Sequence, residues 1–149
     1  MKADYLIDTN VFVYAINKDA PFHKESYNIV NAGISGSVNL CTTTNNLLEF
    51  FAIVTDKRRI ENPLSEESAL EVVQILINSE IEIINIGTQD VIKSMGSSVK
   101  ISKSSQFIFD LVIAAAMLNN EVQKIITYNK KDFKKIPNIK IILPNEIKI

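Results

Sequence analysis

The chain has little of several residue types that build common sites. Its one cysteine, Cys41, excludes an intramolecular disulfide and a zinc site made of several cysteines. With one histidine as well, His23, the chain is poor in ordinary zinc ligands. The formal net charge of −1 does not indicate nucleic-acid binding, although a local basic cluster can attract phosphate on a slightly acidic protein.

Long apolar runs and a leader-like start are also absent from this sequence. A membrane-spanning helix needs roughly 20 predominantly apolar residues, and a secretory leader combines a basic start with an apolar stretch. We therefore expect a cytoplasmic protein with no membrane association. The length of 149 residues, the 46% hydrophobic content and the lack of repeats or linkers predict one domain, residues 1–149.

Apolar, strand-like runs alternate with segments of helical periodicity. The expected strands are residues 5–7, 38–43, 81–86, 124–127 and 139–143. The expected helices are residues 23–32, a helix capped by Thr44, a helix capped by Ser65, residues 89–95, and a long helix capped by Ser104 or Ser105. The helix after Ser65 has an apolar stripe consisting of Leu70, Val73, Leu76 and Ile77. This alternation predicts an α/β fold with a mainly parallel sheet.

Asp110 stands out because residues 107–118 are otherwise wholly apolar. Burying an unpaired carboxylate costs several kcal/mol or forces it to take up a proton. Asp8, Glu49 and Asp132 also lie in or beside apolar segments. Sites in parallel sheets lie beyond the carboxyl ends of the strands. We therefore expect these acids to meet at one rim of the sheet, with Asn129 nearby.

Converging carboxylates predict a bound divalent cation. Two carboxylates about 4 Å apart repel each other by roughly 4 kcal/mol at an effective dielectric constant near 20. Oxygen ligands suit Mg²⁺ or Mn²⁺, and such an ion supports phosphodiester hydrolysis. Each acid also has a structural interpretation when taken singly: Asp8 could cap a helix, and Glu49 could pair with a lysine.

Several segments resemble, in order, the motifs of PIN-domain ribonucleases. They are LIDTNVFVYA at residues 6–15, NLLEF at 46–50, FDLVIAAA at 109–116 and ITYNKKDF at 126–133. Residues 62–65 resemble a segment of the toxin branch, and residues 141–144 resemble the closing strand. The similarity spans nearly the whole chain.

The resemblance implies a three-layer PIN-like fold with a central, mainly parallel sheet flanked by helices. It further implies endoribonuclease activity dependent on Mg²⁺ or Mn²⁺, in a VapC-like toxin that forms a homodimer and is held inactive by a small antitoxin. Carried over by position, Asp8, Glu49 and Asp110 are the core acids. The fourth position stays open between Asn129 and Asp132. The expected catalytic and metal-binding residues are Asp8, Glu49, Asp110 and Asp132.

Two further sets of residues are candidates for contacts with RNA. Those expected to position water or phosphate are Thr9, Asn10, Thr127 and Asn129. The alternative interpretation is helix capping for Thr9 and Asn10 and strand propensity for Thr127. Those expected to bind RNA phosphates are Arg58, Arg59, Lys100 and Lys103, against the alternative of an ordinary charged surface.

Two other functions compete with the nuclease. A non-catalytic PIN-like module would retain the fold and bind RNA or protein. A phosphotransfer enzyme would use Asp8 as a nucleophile, but Asp8-Thr9-Asn10 lacks a second aspartate two positions on. The apolar faces of residues 11–15 and 50–54 fit either the protein core or a groove for a partner.

Overall fold

The computed structural model describes residues 2–101 and 107–149, and they form alternating strands and helices. The strands are β1 (Tyr5–Ile7), β2 (Leu40–Thr43), β3 (Glu82–Ile84), β4 (Lys124–Ile126) and β5 (Lys140–Ile142). The helices are α1 (Thr9–Ile16), α2 (His23–Ile34), α3 (Thr44–Val54), α4 (Glu66–Ile77), α5 (Thr88–Ile101), α6 (Phe107–Asn119) and α7 (Lys130–Phe133). A 3₁₀ turn, Pro144–Glu146, follows β5.

The five strands form one sheet in the order β3-β2-β1-β4-β5, and every neighbouring pair is parallel. Strand β1 lies at the centre, with Leu6 in register with Cys41 of β2 and Ile125 of β4. The carboxyl ends of β1 and β4 therefore meet at one rim. The predicted α/β fold with a parallel sheet is confirmed.

Side chains of successive strand residues point to opposite faces of the sheet, and here both faces are buried. Leu6 and Ile125 belong to one apolar cluster, which includes much of α6. Ile7 and Ile126 belong to a second cluster, which includes residues of α1, α2, α3 and α4. Two cores separated by a sheet give three layers, as predicted. Cys41 is a free, buried residue of the first cluster.

Two helix starts can be compared with their predicted caps. Thr43, and not Thr44, caps α3: its hydroxyl accepts a hydrogen bond from the Asn46 backbone N–H at 3.2 Å, and Asn46 Oδ1 accepts one from the Thr43 N–H at 3.3 Å. This reciprocal capping box explains the one-residue difference. Ser65 caps α4 as predicted, accepting from the Ser68 N–H at 3.1 Å. The caps predicted at Ser104 or Ser105 lie outside the described residues.

Several predicted boundaries and one apolar stripe differ from the structure. Helix α5 spans 14 residues, and its predicted core of residues 89–95 is only the first part. Strands β2 and β3 are shorter than predicted. On α4, Leu70 and Ile77 are about half exposed, whereas Ala69 and Leu76 are buried. The stripe that packs against the core consists of Ala69, Val72, Val73 and Leu76, so the predicted stripe was displaced around the helix.

No helix in residues 2–101 and 107–149 is long and apolar enough to cross a membrane.

Candidate active site

Asp8 lies where the central strand becomes the first helix. Its backbone N–H donates to the Ile126 carbonyl at 3.0 Å, which continues the pairing of β1 with β4. Its Oδ1 accepts a hydrogen bond from the Thr9 N–H at 2.8 Å, so Asp8 is the N-cap of α1. The structural interpretation of Asp8 as a helix cap therefore holds. The same geometry fixes its carboxylate at the carboxyl rim of the sheet.

The carboxylate of Asp8 is buried and receives four hydrogen bonds. Besides the Thr9 N–H, the donors are Asn46 Nδ2 at 3.1 Å, Asn10 Nδ2 at 3.2 Å and the Thr127 hydroxyl at 2.7 Å. An ionised carboxylate has about four lone-pair sites, so these donors account for its acceptor capacity. Burial raises the pKa of Asp8 to about 6, although the hydrogen bonds from Thr127 and Thr9 act to lower it.

Glu49 is tied to Asp8 through Thr9 and Asn46. The Thr9 hydroxyl donates a hydrogen bond to Glu49 Oε2 at 3.2 Å, and it accepts one from Asn46 Nδ2 at 2.9 Å. Asn46 precedes Glu49 by three residues, so the two side chains lie on one face of α3. Asn46 is completely buried. It was not among the predicted site residues, although it is the first residue of the NLLEF segment that resembles a family motif and it follows Thr43 by three residues.

A second polar connection joins α1 to the end of β4. The Thr127 hydroxyl accepts hydrogen bonds from Asn10 Nδ2 at 3.0 Å and from the Asn129 N–H at 2.9 Å. Asn10 Oδ1 accepts from the Tyr128 N–H at 3.2 Å. Thr9, Asn10 and Thr127 therefore contact the acids directly or through one another. Asn129 is connected here through its backbone.

Asp110 lies on α6 and lines a groove of about 660 Å³. The groove is lined by Asn45, Leu48, Glu49, Arg59, Phe107, Phe109, Asp110, Ile113 and Asp132. Partial burial, followed in order by the negative charges of Asp8, Asp132 and Glu49, raises the pKa of Asp110 to about 7. Glu49, Asp110 and Asp132 line the groove itself, whereas Asp8 acts on Asp110 through its charge. Asp132 also has a cationic neighbour, with Lys135 Nζ 3.8 Å from its Oδ1.

The donor set suits a hard divalent cation. Within residues 2–101 and 107–149, no group of three or more His, Cys, Asp or Glu side chains is close enough together to hold a metal ion as it stands. Mg²⁺, however, is usually held by one or two carboxylates while it keeps several waters. The charges of Asp8, Asp132 and Glu49 contribute to the raised pKa of Asp110, and a bound cation would offset their repulsion. The chemistry of these side chains therefore fits Mg²⁺ or Mn²⁺.

The predicted basic residues lie in different places. Arg59 lines the groove with the acids. Arg58 points to Asp56 instead, with its Nη2 2.8 Å from Asp56 Oδ2. Lys100 lines a separate pocket with residues of α6 and of the segment after α7. Lys103 lies outside the described residues. The structure therefore brings Arg59 to the acids and places Arg58 and Lys100 elsewhere.

Comparison with known proteins agrees with this architecture. Residues 5–139 match the PIN domain family, and the chain belongs to that family. No curated protein sequence matches the chain significantly.

Several solved structures share the fold at low sequence identity. VapC20 of Mycobacterium tuberculosis, described as a sarcin-ricin loop cleaving toxin, is 12% identical with a TM-score of 0.68, over 87% of this chain and 93% of that one. The DNA-bound VapBC of Salmonella typhimurium is 21% identical with a TM-score of 0.65, over 95% and 98% of the two chains. VapBC2 of Rickettsia felis, bound to a promoter fragment, is 22% identical with a TM-score of 0.63, over 93% and 97%.

Proposed function

We propose that this chain is an endoribonuclease that hydrolyses RNA phosphodiester bonds with Mg²⁺ or Mn²⁺. The observation that carries the proposal is the position of Asp110. Its carboxylate lines a groove with Glu49 and Asp132, and Arg59 lines the same groove. Its pKa is raised by partial burial and by the charges of Asp8, Asp132 and Glu49. A groove with clustered acids and one cation fits a phosphodiester that is bound beside a divalent metal ion.

The proposed roles follow from the contacts of each residue. Asp110, Asp8, Glu49 and Asp132 would hold the ion, which supplies Lewis-acid stabilisation of a phosphoryl oxygen and activation of water. The four donors around Asp8 hold its carboxylate in one orientation. Thr9 holds Glu49 in the same way.

Arg59 would bind a phosphate that flanks the cleaved bond, because phosphate contacts position a nucleic acid on its protein. Thr127, Asn10 and Asn129 form the polar rim beside Asp8. In our proposal the hydrogen bonds among these three residues hold the rim in place. The side-chain amide of Asn129 binds water or phosphate.

One observation favours a second candidate, a non-catalytic module that binds RNA or protein. The acceptor capacity of the Asp8 carboxylate is already filled by Thr9, Asn10, Asn46 and Thr127. If those hydrogen bonds persist, Asp8 attracts a metal ion through its charge but does not coordinate it. The protein would then bind a metal ion without cleaving RNA.

The biological role that we propose is that of a toxin restrained by a small antitoxin, acting as a homodimer in the cytoplasm. Structures with the same fold come from toxin–antitoxin complexes, including those of Salmonella typhimurium and Rickettsia felis. Light scattering during size-exclusion chromatography measures whether the purified chain is a dimer. Co-purification with a small protein encoded beside it tests the antitoxin.

The activity is tested by incubating the purified, antitoxin-free protein with a mixed cellular RNA pool. We expect discrete cleavage products with Mg²⁺ or Mn²⁺ and none with EDTA. Binding of Mn²⁺, measured separately by calorimetry, distinguishes the two candidates. Mn²⁺ binding without cleavage of any RNA supports the non-catalytic module, and cleavage that persists in EDTA contradicts both.

A further inference from the structure

Two large apolar side chains are exposed in the walls of the acidic groove. Leu48 on α3 is 71% exposed, and Phe109 on α6 is 62% exposed. Both line the groove together with Phe107 and Ile113, which are buried. A single exposed apolar residue is normal on a protein surface. Two in the same groove, beside the acids, indicate a ligand with apolar surface.

Each of these two apolar residues is the direct neighbour of an acid in the sequence. Leu48 immediately precedes Glu49, and Phe109 immediately precedes Asp110. Neighbouring residues of an α-helix project about 100° apart, because a turn contains about 3.6 residues. Each wall therefore presents a carboxylate with an apolar side chain beside it. Arg59 adds a cation to the same groove.

We propose that Phe109, with Leu48 on the facing wall, forms a stacking site for an unpaired base of single-stranded RNA. Phosphates and bases alternate in position along a nucleic acid strand, so a phosphate beside the acids places a neighbouring base against these walls. Aromatic side chains bind the faces of unpaired bases. A wholly apolar peptide would cover Leu48 and Phe109 but would leave Arg59 without a partner. An RNA strand supplies a phosphate for Arg59 and for a cation held by the acids, together with a base for the apolar walls.

The inference rests on the proposed nuclease site but is tested by binding alone. The probe is a fluorescein-labelled, mixed-sequence single-stranded RNA of about ten nucleotides, titrated in Ca²⁺, a cation with oxygen ligands that offsets the charge of the carboxylates, and gel electrophoresis checks that the RNA stays intact. We expect Phe109→Ala to raise the Kd by roughly 5- to 150-fold, in keeping with measured base–aromatic stacking. Phe109→Trp should retain the wild-type Kd. Tyr27→Leu is the matched control, because Tyr27 is a half-exposed aromatic residue on α2 that does not line the groove.

A second probe separates stacking from other effects. An oligonucleotide of the same length with abasic nucleotides keeps the phosphates and lacks bases. Phe109→Ala should not change its Kd, because only the backbone contacts remain. An equal loss of affinity for both probes, or a Phe109→Ala protein that binds the normal RNA within twofold of wild type, would overturn the inference. A change of oligomeric state in Phe109→Ala without a change in Kd for RNA would do the same.

The outcomes also separate this inference from the proposed function. If the protein cleaves RNA with a metal ion and Phe109→Ala binds RNA as the wild type does, the nuclease proposal is supported and the stacking site is contradicted. RNA binding that depends on Phe109, in a protein that cleaves nothing, would keep the stacking site and support the non-catalytic module. Circular dichroism and thermal unfolding should show that Phe109→Ala is folded, because Phe109 is 62% exposed.

Discussion

The Thr127 hydroxyl donates a 2.7 Å hydrogen bond to Oδ2 of Asp8 and so joins the ends of two neighbouring parallel strands. Both residues are buried. The bond connects strand pairing to the candidate site, because Thr127 follows β4 and Asp8 follows β1. Asn10 and Asn129 then donate to the same hydroxyl oxygen.

Replacing Thr127 with valine removes this donor while keeping a branched side chain. A hydrogen bond to a charged group contributes about 1.5–3 kcal/mol, so we expect a loss of unfolding free energy of that size at neutral pH. Thr127→Ser keeps the hydroxyl and should recover most of it. Urea denaturation measures both variants. Equal stability of Thr127→Val and Thr127→Ser would show that the hydroxyl contributes nothing.

The pH dependence of the metal-free protein follows from Asp8 and Asp110. Their pKa values rise from 3.8 to about 6 and about 7 on folding, so the native state binds more protons than the unfolded state between about pH 4 and pH 7. Stability therefore falls as the pH rises through that window. In EDTA, the unfolding free energy of Asp110→Asn relative to wild type should increase from pH 4.5 to pH 7.5.

A matched control for that measurement is Asp19→Asn, since Asp19 is exposed in the loop before α2. Its difference from wild type should not change over the same pH range. Mg²⁺ should reduce the wild-type slope, because a bound cation favours the ionised carboxylates. A difference between Asp110→Asn and wild type that stays constant from pH 4.5 to pH 7.5 would contradict the assigned shift.

Arg59 and Arg58 are neighbours in the sequence with different surroundings. Arg59 lines the groove, whereas Arg58 is paired with Asp56. For single-stranded RNA, each neutralised phosphate contributes about −0.7 to the slope of log K against log salt. We expect Arg59→Gln to weaken binding and reduce the magnitude of that slope by about 0.7. Arg58→Gln should leave the slope unchanged. Equal slopes for the two variants would show that Arg59 neutralises no more RNA phosphate than Arg58 does.

Asn46 connects the cap of α3 to both Asp8 and Thr9. Asn46→Ala leaves a buried acceptor on Asp8 without one of its donors, and we expect a loss of about 1–3 kcal/mol in unfolding free energy. Asn28→Ala, at an exposed position of α2, is the comparison. If Asn46→Ala is as stable as Asn28→Ala, the buried network around Asp8 does not stabilise the fold.

The positions of the acids could be expected from the sequence for a topological reason. Asp8 and Asp132 follow apolar strand-like runs, and parallel strands end at a common rim. Asp110 was conspicuous because its neighbours are apolar. The parallel sheet with helices on both faces follows from the alternation of strands and helices, whereas the strand order β3-β2-β1-β4-β5 comes from the structure. Glu49, like Asp110, was conspicuous because it lies inside an apolar segment, and the resemblance to the family motifs selected the same residue.

Other parts of the site depend on how elements approach one another. Asn46 lies in an ordinary capping pattern, and its bond to Asp8 exists only because α3 packs beside α1. Arg58 and Arg59 are indistinguishable in sequence, and the turn after α3 decides which one reaches the groove. The exposure of Leu48 and Phe109 likewise depends on the gap between α3 and α6. Helical periodicity treats both simply as apolar residues.

The central claim is that the acids around Asp110 form a metal-dependent RNA-cleaving site. The most direct test compares the wild-type protein with Asp110→Asn and Asp19→Asn on one RNA pool in Mg²⁺ or Mn²⁺. Our account predicts cleavage by wild type and Asp19→Asn, and a loss of at least 100-fold, on the order of the effect of removing a key catalytic group, in a folded Asp110→Asn. Undiminished cleavage by Asp110→Asn would contradict the account.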